Sequence, residues 1–169
     1  MVSLVLAATL AAAAPDRRND FDFETGTWSI DVARSAQPFV KPQQWSHPRG
    51  YLHVVRKLFE GASLAQLEAT QPAPHVLGLM LRMYDAKTQT WSVYWGNAGS
   101  GALDPPLIGR FVNGRGEFLN HDTVDGRRVL VRVVYSNITA TSFHTEQALS
   151  TDGGKTWVTN LVQTFTRIK

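Results

Sequence analysis

The sequence predicts an all-β chain that closes into an up-and-down antiparallel barrel of about nine to ten strands, and three observations lead there. Short runs rich in β-branched and aromatic residues recur after Phe21, with no long stretch of helical periodicity. Turns built on Asn, Asp and Gly separate them, among them Asn113-Gly114, Asp125-Gly126 and Asp152-Gly153-Gly154. These connections are short enough to make hairpins, hence a meander, and a meander with an apolar face must close or expose its edges. A β-sandwich is the competing architecture.

Taken in order, the expected strands cover residues 27–34, 50–59, 76–84, 90–97, 107–113, 116–124, 127–135, 141–150 and 156–167. The segment ASLAQLEA at 62–69 has the composition of a short helix of a turn or two. Residues 36–48, 71–74 and 98–106 read as loops, each containing proline.

With 169 residues, 43% hydrophobic, the chain suits one domain, assigned to 20–169. The net charge of +3 is spread over single or paired basic residues, which argues against a nucleic-acid partner. The lack of cysteine removes disulfides, thiolate chemistry and Cys-based metal sites. Residues 1–19 begin with an apolar, alanine-rich run that is shorter than the roughly 20 residues needed to span a bilayer. They read as a signal peptide directing the protein to the periplasm or outside, without stable membrane insertion. A misplaced start or a frayed N-terminal helix in a cytoplasmic protein is the alternative.

The stretch FDFETGTW, with Gly26 and Trp28, resembles the Gly-X-Trp entry of the calycins, the superfamily of lipocalins and fatty-acid-binding proteins. In that superfamily the Trp plugs one barrel end beneath a basic residue of the last strand, the place held here by Arg167 in QTFTRIK. Together with STDGGKTW, the pattern is similar to bacterial lipocalin-like domains of unknown function, over about 21–168; it lacks the cysteine pair and C-terminal helix of true lipocalins. The resemblance implies a barrel and little chemistry. STDGGKTW also matches the Asp-box, in which the carboxylate binds turn amides and the Trp packs under the hairpin, so Asp152, Gly154 and Trp157 join Gly26, Trp28 and Arg167 as structural residues.

Pairing strands about Asp125-Gly126 sorts the two faces. Phe118, Asn120, Asp122 and Val124 fall with Val129, Val131, Val133 and Tyr135 on the more apolar, inner face, which Gln147 and Asn160 join. Polar groups inside a barrel cost about 1–3 kcal/mol each if unsatisfied, so they are either solvated and mutually paired or they meet a ligand's polar end. The expected ligand-binding set is Asn120, Asp122, Gln147 and Asn160, with Tyr84, Trp91, Tyr94 and Trp95, and Met80 and Met83 beside them, as wall. Arg132 and Glu146 lie opposite one another on the outer face in this register. A slip of one residue would turn both inward, where they would join that set. His53 alternates with Tyr51 and Val55 and reads as a wall residue; no metal motif and no cofactor fingerprint is present.

The leading expectation is a barrel that holds a small, mostly hydrophobic molecule, its one expected partner; the sequence leaves the oligomeric state open. An acid/base isomerase, cyclase or lyase using Asp122, Glu146 or His121 is the rival, enzymatic activity being the less favoured reading. A solid structural barrel is the third.

Overall fold

The computed structural model describes residues 16–97 and 99–168. The expected signal peptide falls mostly outside them. A 3₁₀ turn at Asp22–Glu24 leads into ten strands: β1 (Gly26–Arg34), β2 (Tyr51–Phe59), β3 (Ala62–Ala69), β4 (His75–Asp85), β5 (Thr90–Gly96), β6 (Leu107–Val112), β7 (Arg115–Val124), β8 (Arg127–Ser136), β9 (Ser142–Ser150) and β10 (Val158–Arg167). Each pairs antiparallel with its neighbour in sequence, and β1 pairs with β10, so the sheet closes into an up-and-down barrel.

The strand added to the nine expected ones, β3, is the segment expected to be helical. Ala62–Ala69 pairs with β2 on one side and β4 on the other, and Ala62, Ser63, Ala65 and Ala69 are buried. Its helix-forming composition yields because a gap between β2 and β4 would leave two rows of backbone donors and acceptors unpaired. At the other end of the chain β10 starts at Val158, so Trp157 belongs to the preceding turn rather than to the strand.

One barrel end is stoppered. The 3₁₀ turn lies across it and sends Phe21 and Phe23 into a cluster with Trp91, Phe111, Phe118, Tyr135 and Phe143. Gly26, at φ 128°, turns the chain from the stopper into β1. Trp28 is fully buried, stands opposite Arg167 in the β1–β10 ladder, and donates its indole N–H to the Glu24 carbonyl at 2.7 Å. The Arg167 guanidinium sits 4.0 Å from the Trp28 ring centre and donates to the carbonyls of Ala140, Thr25 and Phe23, each at 2.7 Å. It satisfies the carbonyls that the turn leaves open. The capping segment starts before residue 20: the Arg17 carbonyl accepts from the Trp91 indole at 3.1 Å, and Lys57 reaches Asp22 at 2.7 Å.

At the opposite end the Asp152 turn is stapled from within. The Asp152 carboxylate accepts from the Lys155 and Thr156 amides, from the Thr156 hydroxyl at 2.6 Å and from the Ser150 hydroxyl at 2.7 Å. The Thr156 hydroxyl and amide, followed by Ser150, hold its carboxyl well below the usual range. Trp157 lies against Gly154, and Arg132 stacks over its ring at 4.2 Å on the outside of the barrel. Residues 35–50 cross this end, with Phe39 packed against the cluster of Val129, Val131 and Leu149.

Arg167→Ala should lower unfolding stability by about 2–3 kcal/mol in urea titrations, since it removes charge-assisted bonds and a cation–π contact together. Arg132→Ala removes one outer cation–π contact and should cost under about 1 kcal/mol in the same assay. Equal losses from the two would contradict the special role of the closing contact.

Candidate functional site

Alternation along three strands and the placement of the 3₁₀ turn bring four polar side chains together just above the aromatic stopper. Glu24 comes from the turn, His53 from β2 between Tyr51 and Val55, Arg82 from β4 between Met80 and Tyr84, and Tyr135 from β8. None is more than 5% exposed. Arg82 Nη2 lies 2.5 Å from Glu24 Oε2, an ion pair not aligned as a hydrogen bond, and His53 Nε2 stands 3.4 Å from the same oxygen. The guanidinium also rests over the Phe21 ring at 4.8 Å. Arg82 Nε and Nη1, Glu24 Oε1 and His53 Nδ1 have no hydrogen-bond partner among the described residues.

The electrostatics follow from burial. Burial pulls the Arg82 guanidinium down, but Glu24 and then Tyr135 more than offset this and keep it above its ordinary value. For His53, burial outweighs the attraction of Glu24 and, helped by Arg82, holds the imidazole below its usual range, hence neutral at pH 7. Burial, reinforced by the Glu24 charge, pushes the Tyr135 hydroxyl up to about 12, so it is an intact O–H donor. The cluster is thus one cation beside one carboxylate, with a neutral imidazole and a phenol.

All four side chains border a cavity of about 520 Å³ inside the barrel. Its walls differ. Leu67, Met80, Val93, Trp95 and Val133 line it on one side, whereas β9 and β10 contribute Thr145, Gln147, Asn160 and Gln163. These polar groups pair with one another: Thr145 donates to Gln163 at 3.1 Å, and the Gln147 amide to Asn160 at 3.4 Å. Asn160 reaches the interior through a bulge between Thr159 and Leu161. Trp95 packs against Gly78, where a Cβ would come within 2.4 Å of the indole. Arg34, Pro48 and Leu77 also line the cavity, toward the end crossed by residues 35–50. A smaller groove of about 230 Å³ lies outside the barrel, where its polar residues Asp31, His47 and Arg49 are exposed.

Of the residues singled out from sequence, Met80, Trp95, Gln147 and Asn160 line the cavity, as does His53. Trp91 and Tyr84 share its face but are built into the stopper, the Trp91 ring packing on Phe21 at 4.9 Å. Tyr94 and Met83 lie on the opposite face, since strand alternation separates each from the inward Trp95, Arg82 and Tyr84. Asn120 donates to the Pro105 carbonyl, and Asp122 is exposed. The register places Glu146 opposite Val134 and Arg132 opposite Ala148, so no slip turns the pair inward; Glu146 accepts from Thr159 instead.

Sequence reasoning misses Arg82 and Glu24, whereas His53 reads from its alternation as a wall residue and is one. Arg82 carries the same signal, standing between the inward Met80 and Tyr84. Glu24 carries none, because a 3₁₀ turn has no strand parity. Among the described residues no three carboxylates and histidines gather as a metal site would need.

Fold and site together define a closed up-and-down β-barrel with an internal cavity floored by a buried ion pair. No protein-family model and no curated protein matches the chain.

His53 links stability to pH. The unfolded chain takes up its proton near about 6.5 and the folded one resists, so stability is full above that pH and declines below it, by at most about 1.4 kcal/mol per unit. His53→Gln should flatten that part of the slope in urea titrations between about pH 7.5 and about pH 5.5. An unchanged slope would contradict a neutral, buried His53.

Proposed function

We propose that the protein binds a small, mostly hydrophobic molecule inside its barrel, in the manner of the calycins that its sequence resembles. The observation that carries this reading is the cavity, large enough for a ligand of about a dozen to two dozen heavy atoms and apolar over most of its wall, with a few convergent polar groups at its floor. A barrel of this size that served only as a scaffold would fill its interior with side chains, as the stoppered end here does.

A second reading has its own support. A neutral imidazole beside a carboxylate, next to a cavity, is a pair that can move a proton, so His53 and Glu24 take the place that the sequence offered to Asp122, His121 and Glu146. Export to the periplasm or beyond remains part of the proposal on the strength of residues 1–19.

Purified protein incubated with a total lipid extract and re-isolated should retain a small molecule detectable by native mass spectrometry, and it should enhance the fluorescence of the neutral probe N-phenyl-1-naphthylamine. Leu67→Trp, which fills the cavity from an apolar wall, should weaken probe binding at least tenfold while leaving the fold intact by circular dichroism. Absence of both retention and probe binding in the parent protein would overturn the reading. Recovery of the retained molecule in altered form, lost in His53→Gln, would favour proton-transfer chemistry.

A further inference from the structure

We infer that the polar end of the bound molecule is an uncharged group that both accepts and donates hydrogen bonds, such as a carboxamide or lactam, rather than a carboxylate. The inference rests on the cavity-binding reading above and narrows it to a ligand class. A lone guanidinium at the floor of an apolar cavity would select an anion. Here the guanidinium of Arg82 is already neutralised by Glu24 at 2.5 Å, with both side chains essentially unexposed.

A carboxylate entering this floor would bring a second negative charge to the pair, out of water, with one cation between two anions. The neutral His53 supplies no compensating charge. What the floor does offer is unfilled hydrogen-bonding capacity of both kinds. Arg82 Nε and Nη1 are donors without an aligned partner, although the Tyr135 hydroxyl lies beside the guanidinium, and Glu24 Oε1 is an acceptor without one. His53 Nδ1 is an acceptor too when Nε2 carries the proton toward Glu24. A carboxamide matches the set, its oxygen toward Arg82 and its N–H toward Glu24, with the hydrocarbon extending along Leu67, Met80 and Val93. Both kinds of unsatisfied group are then paired by one uncharged ligand. The paired side chains Thr145 with Gln163 and Gln147 with Asn160, higher on the wall, already satisfy one another and make no such demand.

The test is displacement of N-phenyl-1-naphthylamine from the full-length protein by decanamide and by decanoate, two ligands of the same chain length that differ in charge. Decanamide should bind at least tenfold more tightly at pH 8, where decanoate is ionised. In Glu24→Gln, which keeps the side-chain volume and frees the Arg82 charge, the order should reverse in favour of decanoate. Met83→Leu, on the outer face of β4 and away from the cavity, should leave the parent's preference unchanged. Decanoate binding the parent as tightly as decanamide, or loss of the preference in Met83→Leu, would overturn this inference while leaving cavity binding intact. Should Glu24→Gln not fold, the parent and Met83→Leu measurements still decide. Failure of the probe itself to bind overturns the cavity reading instead.

Discussion

The contact on which the rest of the barrel depends is the one between Trp28 and Arg167. It lies where the first strand meets the last, so it closes the sheet, and it also fixes the stopper that gives the cavity a floor. The indole N–H holds the Glu24 carbonyl, and the guanidinium above the same ring holds those of Phe23 and Thr25. Backbone carbonyls of a short 3₁₀ turn thus find charged or aromatic donors supplied by both terminal strands. Glu24 is aimed inward by that anchoring, which is how a contact at the barrel seam determines the chemistry of its interior.

The interior charge is expensive to keep. Removing two ions from water costs several kcal/mol apiece before their attraction is counted, and well-packed apolar residues often do better. In this barrel the pair is incompletely satisfied as well, with open donors and acceptors on both partners. The mutually bonded polar residues of β9 and β10 show the cheaper way to carry polarity inside. The contrast between a self-satisfied wall and an unsatisfied floor is the reason to look for function at the floor.

The fold was legible in the sequence where hydrogen-bonded turns and strand alternation spoke together. The Asp125-Gly126 hairpin fixes the β7–β8 register, and from it the inward set of Phe118, Val129, Val131 and Tyr135 follows. Ala62–Ala69 was not legible, because its composition favours a helix and only its pairing with the strands on either side of it overrules that preference. In the site, Gln147 and Asn160 could be placed together through two hairpins. The Glu24–Arg82 pair could not, since it joins a turn without strand periodicity to a strand 58 positions on, counting from 24 to 82. Arginine and glutamate are also the residues that composition alone assigns to the surface.

Trp95 packed on Gly78 bears on the shape of the cavity. The indole packs so closely on bare backbone that its benzene edge occupies the space a side chain at position 78 would need. A single methyl group at position 78 would meet the indole at 2.4 Å and force it to shift, so the clearance across the cavity is set by the residue behind the ring as well as by the ring itself.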